Sequence, residues 1–168
     1  DRIEESQKRR AKVKRRQWRT LSDDDFLQRW LTERRDAFGD WQSRYGGEMT
    51  CDFSIDSLDG LEAMVWQVAD GPEELLVDSA NVAFIDGAAY YLGEVLLRHG
   101  PQELRWRYLR GDVADFSEPT VEGTWWLMRE PANILADIYI DVARMGGVLR
   151  RRYERAREYV AECIAITG

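Results

Sequence analysis

The stretch from Asp78 to Gly100, DSANVAFIDGAAYYLGEVLLRHG, constrains the fold more than any other part of the chain. Asp78 or Ser79 can cap a helix there, because a short side-chain oxygen accepts from the unpaired N–H groups of the first turn. His99, Gly100 and Pro101 form the stop: a partial positive charge at the carbonyl end, a residue free to take the left-handed conformation, then one that cannot continue a helix. The roughly 21 residues between them span about 30 Å. Phe84, Ile85, Ala88, Leu92, Val95 and Leu96 recur at three- and four-residue steps, and Ala80, Val82, Ala83, Ala89 and Leu97 widen that stripe well beyond a one-sided surface helix. A helix of this kind is buried on most sides. One narrow strip is polar, with Asp86, Tyr90 and Glu94 at four-residue spacing and Gly87 and Gly93 beside it, where another backbone could approach closely. Buried there, the polar groups need partners, and Arg98, Arg105 and Arg107 are the candidates.

The segments before this helix carry their own signals. Leu21-Ser22-Asp23-Asp24-Asp25-Phe26 joins a cap, an approximate capping box and a hydrophobic staple, with three acids at the positive end of the helix dipole. Phe26, Leu27, Trp30, Leu31, Phe38 and Trp41 keep helical spacing to about Tyr45, where Gly46-Gly47 ends it. Met49, Cys51, Phe53 and Ile55 alternate with polar residues, the period of a half-buried strand. Asp56 or Ser57 then caps a helix with Leu58, Leu61, Met64, Val65 and Val68 inward, and Pro72 to Val77 reads as a connector.

After it, Leu104, Trp106 and Tyr108 alternate with Arg105 and Arg107 as a strand, paired with a second from Gly123 to Arg129. The polar segment from Gly111 to Glu122 is long for a hairpin loop, so part of it is expected to extend the strands. Pro131 opens a helix striped by Ile134, Leu135, Ile138, Tyr139 and Val142, broken at Gly146-Gly147. A last helix places Leu149, Tyr153, Ala156, Val160, Cys163 and Ile164 on one face. The expectation is an α+β fold: helices near 22–45, 57–69, 78–99, 131–145 and 147–165 around a small, mainly antiparallel sheet from 49–54, 103–109 and 123–129. Residues 20–168 are expected to form a single domain behind a basic arm.

Charge narrows the function classes. Residues 1–19 hold nine Lys or Arg against three acids, a net of +6. Taking these from the totals of 24 and 31 leaves 15 basic and 28 acidic residues, a net of −13 for the body. That sign argues against nucleic-acid binding by the body, since phosphate affinity is dominated by cationic contacts, and suits a basic protein partner. The arm, with Lys8, Arg9, Arg10, Lys12, Lys14, Arg15 and Arg16, is the one place where a nucleic acid or anionic surface could bind. Two cysteines, Cys51 and Cys163, are too few for a disulfide framework, which suggests a reducing, cytoplasmic compartment. No apolar run approaches the ~18 residues of a membrane span, and no signal-peptide pattern opens the chain.

Catalytic signatures are absent from the sequence. His99 is the one histidine and stands at a helix end, where it serves as a capping or surface residue without any chemistry. No zinc-type His and Cys spacing and no phosphate-binding glycine loop occurs, so no metal and no cofactor is expected. Asp137 and Asp141 share a helix face, and Asp86 and Glu94 share the polar strip. Such pairs can hold Mg²⁺ or act as acid and base in glycoside hydrolysis, although carboxylates four apart ordinarily form the wet side of a helix. Seven tryptophans are many for this length. Trp125 and Trp126 must point to opposite faces of a strand, and the outer one, beside Arg105 and Arg107, is a candidate binding surface.

Ser22-Asp23-Asp24-Asp25-Phe26, Cys51-Asp52-Phe53-Ser54-Ile55-Asp56-Ser57-Leu58-Asp59 and Gly87-Ala88-Ala89-Tyr90-Tyr91-Leu92-Gly93-Glu94-Val95, followed by a strand at Trp106, together resemble a loose group of bacterial, largely actinobacterial, proteins. These join a "DFS..SL" unit to a "YLGE" helix and a strand pair, and the match runs from about Ser22 to Met128. The stretch after Pro101 departs from the Gly-Gly-x-Trp pattern of the group. The resemblance implies an α+β fold but no particular activity. Small acidic domains of this kind also look like immunity proteins of bacterial toxin systems, a likeness of fold alone. The sequence reading is therefore a non-enzymatic protein-binding module, with the arm-borne anionic-surface binder and a carboxylate-based hydrolase as alternatives.

Overall fold

The computed structural model describes residues 21–100, 104–108, 119–123, 131–139 and 146–167. Among these the fold is α+β, with six α-helices and one two-stranded antiparallel sheet. The predicted arm, Trp125, Trp126 and Asp141 lie outside the described residues.

Helix α1 (Asp23–Tyr45) begins where the capping signal predicts: the Ser22 hydroxyl oxygen accepts from the Asp25 amide at 3.1 Å, and its proton goes to the Asp25 carboxylate at 2.7 Å. Gly47, at a φ of 49°, takes the left-handed turn just beyond its end. Helix α2 (Ser57–Val68) is capped by neither Asp56 nor Ser57. Ser54 does this instead, its Oγ accepting from the Ser57 amide at 3.2 Å. Pro72–Val77, expected to be a connector, is the short helix α3 with Pro72 in its first turn, where a missing N–H costs nothing. The central helix is correspondingly shorter than predicted. Asp78 caps a 3₁₀ turn, Ser79–Asn81, and α4 proper is Val82–His99. It ends with Gly100 at φ −60° and ψ 148°, so the glycine is not used for left-handed freedom. Its missing Cβ leaves room for the Leu104 side chain.

The predicted strand over 49–54 is absent. Met49, Cys51, Phe53 and Ile55 still pack on the core, but no partner strand runs beside them, and side chains answer for the backbone. The Phe53 amide donates to Tyr91 Oη at 3.0 Å, its carbonyl meets His99 Nε2 at 2.9 Å, and the Ser54 amide donates to Asp52 at 2.8 Å. Phe53 itself adopts a φ of 57°. The sheet consists of β1 (Arg105–Arg107) and β2 (Thr120–Glu122), with Trp106 opposite Val121. The described second strand lies within the segment expected to extend the strands, while 124–129 of the predicted strand lie outside the described residues. Helix α5 (Pro131–Ala136) tightens into a 3₁₀ turn, Asp137–Tyr139, and 140–145 lie outside the described residues. Helix α6 is Val148–Thr167.

Helix α4 is the centre of this arrangement. Every residue from Phe84 to Gly93 is buried, and α1, α3, α5 and β2 all pack against it. Helix α6 lies on α2 instead. There the buried Glu62 accepts from the Leu149 amide at 3.3 Å, at the positive end of α6. Arg150 reaches back to Asp56 at 2.9 Å and to Asp59.

Candidate functional site on the central helix

Asp86, Tyr90 and Glu94 do fall on one side of α4, and that side is covered. Asp86 and Tyr90 are 7% and 6% exposed. The partner of Asp86 is Arg34 of α1, at 3.2 Å, rather than Arg98, Arg105 or Arg107. Glu94 accepts from Trp106 Nε1 at 2.9 Å and lies 3.9 Å from Arg98. Arg105 and Arg107 both turn to Glu122, at 3.8 and 2.5 Å, one carboxylate shared by two guanidinium groups. The strip and these two arginines therefore form separate ion-pair groups.

Gly87 and Gly93 admit side chains, not another backbone. A Cβ on Gly87 would come within 3.0 Å of the Trp41 indole, and one on Gly93 within 3.0 Å of the Trp106 indole. Each ring lies in a notch made by a missing side chain, and each N–H is answered by α4: Trp41 Nε1 donates to Phe84 O at 3.0 Å and Trp106 Nε1 to Glu94. Trp30 leans on Trp106 with centroids 5.3 Å apart, and Tyr90 stacks on Trp106 at 6.4 Å. Phe38 stacks on Trp41 and Tyr91. Burial pushes the Tyr90 hydroxyl above its ordinary pKa, the Glu94 charge adds to this, and Arg35 partly offsets it. The Tyr91 hydroxyl is raised by burial too, while its hydrogen bonds to Ser57 and Phe53 oppose the shift.

The chemistry open to this site is limited. A general acid or base must reach a substrate proton, but Asp86 is closed in by Arg34 and Glu94 is engaged by an indole N–H. Among the described residues, Trp30 Nε1 and Arg34 Nε are buried donors that meet no hydrogen-bond acceptor. Asp137 is also buried and paired with Arg152 at 2.8 Å. No group of three or more potential metal-ligating side chains occurs among the described residues, and no described helix is long and apolar enough to cross a membrane. His99 spends Nε2 on the Phe53 carbonyl, a fastening of the 49–55 segment.

Sequence reasoning missed Arg34 and Glu62, whose partners come from distant segments. It also missed Trp66, 48% exposed on the outer side of α2. A signal for that region was present in the chain, since no Lys or Arg occurs between Arg44 and Arg98. Comparisons with protein-family models, with curated proteins and with solved structures find no match to this chain.

Proposed function

We propose that this chain is a non-enzymatic protein-binding module, and that its partner is basic. The observation carrying this reading is the closure of the central strip: Asp86 is taken by Arg34, and Glu94 by Trp106 and Arg98. With Asp86 committed to α1 and Glu94 to β1 and to its own helix, the acidity of the body remains as the property most available to a second molecule. Toxin neutralisation as an immunity protein is the narrower form of the proposal, supported by the acidic charge of a small α+β chain.

The test is purification of the full chain from its source cells under mild cross-linking. A stoichiometric basic protein is the expected companion, and recovery of the chain alone would count decisively against the module. The immunity form further expects that co-expression with the companion restores growth that the companion alone arrests. A second reading, binding of nucleic acid or an anionic surface, is supported by the +6 charge of residues 1–19. It expects an affinity that falls steeply with salt and that charge-neutralising substitutions from Lys8 to Arg16 abolish.

A further inference from the structure

Three of the four described tryptophans are core residues, with Trp30, Trp41 and Trp106 between 6% and 9% exposed, whereas Trp66 is 48% exposed. Its ring is held in place. It stands edge-on to Tyr139, centroids 4.6 Å apart at 72°, and Tyr139 is anchored in turn because its hydroxyl donates to the Ala69 carbonyl at 2.7 Å, with the Val65 carbonyl at 3.1 Å.

Carboxylates gather beside this aromatic face. Asp70 follows Trp66 by four residues, and its amide donates to Glu74 Oε2 at 2.8 Å, which fixes the two acids side by side across the α2–α3 turn. Asp78 closes α3, its Oδ1 accepting from the Ala80 amide. All three are exposed, and among the described residues none is ion-paired. Several other acids between Arg44 and Arg98 are matched by cations: Asp56 and Asp59 by Arg150, Asp86 by Arg34 and Glu94 by Arg98. The charge around Trp66 is felt locally. Burial pushes Tyr139 up to about 12, and Glu74 and Asp70 contribute to the rise.

We propose that the Trp66–Tyr139 face, rimmed by Asp70 and Glu74, docks a segment of a partner protein that presents Lys or Arg side chains. The inference rests on the protein-binding reading and locates it. A guanidinium or ammonium over an indole face is drawn by the negative π cloud, and carboxylates at the rim accept its N–H groups. An acidic segment or a phosphate backbone would meet repulsion there.

The experiment uses the full chain, labelled with ¹⁵N, and a synthetic nine-residue peptide with Arg at every third position and Gly or Ser between. Titration at low salt should move the Trp66 indole resonance and the amides from Asp70 to Asp78. Trp66→Ser, which changes no charge, should weaken binding about fivefold, the size of an exposed cation–π contact. Losing the Tyr139 contact lowers the melting temperature by only about 2–4 °C, leaving the chain folded at the temperature of the titration. D70N/E74Q should weaken it as well. Resonance shifts confined to other acidic segments, or Trp66→Ser binding as the parent does, would overturn the proposal. A Trp66 indole resonance that moves with salt alone, without peptide, would assign the face to the chain's own basic residues and overturn it equally. Cross-linking in source cells separates the two readings. Equal partner capture by the parent and Trp66→Ser sinks this surface and leaves the module, whereas no capture by either sinks both.

Discussion

Gly93 offers the sharpest test of how the core is built. In an ordinary helix, Gly→Ala stabilises by about 1 kcal/mol, because alanine has less backbone freedom to lose. At Gly93 the added Cβ would stand within 3.0 Å of Trp106 Cζ2 and Cη2, with Cε2 at 3.1 Å. Carbon atoms pack at about 3.5–4.0 Å, so the indole must retreat by at least about 0.5–1 Å. That movement unseats a ring 9% exposed, strains the Nε1 bond to Glu94 and disturbs the contacts with Trp30 and Tyr90. Overpacking costs about 1–3 kcal/mol and a weakened hydrogen bond about 1 more, so after the propensity gain Gly93→Ala should destabilise by about 2 kcal/mol. For a chain of this length the melting temperature should fall by about 4–8 °C. Gly39, in the middle of α1 with nothing within 4 Å of its added Cβ, is the internal control, and Gly39→Ala should raise it by about 2–4 °C. Trp106→Phe removes the clashing atoms, so Gly93→Ala in that background should cost less than in the parent. Calorimetry of the parent and these four variants decides the matter. A Gly93→Ala chain that melts at or above the parent would refute the notch.

Breaking the Asp86–Arg34 pair from either side should destabilise by about 1–3 kcal/mol in chemical denaturation, with Asp86→Ala and Arg34→Ala together costing less than their sum, because either single change already removes the ion pair. Additive losses would mean the two side chains do not interact. Glu62→Ala should cost about 1–2 kcal/mol and speed amide exchange in the first turn of α6, since Leu149 loses its acceptor; unchanged exchange there would reject the docking role. Tyr139 ionises near 12 when folded against about 10 unfolded, so the unfolded chain releases its proton first. Its contribution is complete below pH 10 and is lost as pH rises towards 12, and Tyr139→Phe should flatten stability across that window. An equally steep loss in the phenylalanine variant would place the effect elsewhere.

Helix signals were legible because they are local. Ser22 with Asp25 marked the start of α1, and the density of apolar residues from Phe84 to Leu96 announced a helix closed in on most sides. The failures have one cause, which is that tertiary partners cannot be seen in a short window. Met49 to Ile55 has the period of a strand, yet Tyr91 and His99 satisfy its backbone in place of a neighbouring strand. Pro72–Val77 spans less than two turns, too few to display a period. Of the three arginines offered to the polar strip, Arg98 lies beside Glu94 one turn away on the same helix, whereas the partner of Asp86 comes from the helix packed across α4. Small residues at 87 and 93 implied a close approach without revealing that indoles make it. The exposed Trp66 face lay on a helix whose inward stripe was read correctly and whose outer side was passed over.

Phe53 carries a consequence for the order of events in folding. A phenylalanine at φ 57° sits in a backbone well that costs about 1–2 kcal/mol, and its anchors belong to other elements: Phe38 from α1, and Tyr91, Arg98 and His99 from α4. Tyr91, Arg98 and His99 come with α4 alone, but Phe38 joins them only when α1 docks on α4, so the set of anchors is complete only in the packed helical pair. The segment from Gly46 to Asp56 must therefore close after the helical pair forms, and substitutions in it should accelerate unfolding while leaving the refolding rate nearly unchanged. The same dependence makes it an early part to reopen, so its amides should exchange at lower free energy than those of α4.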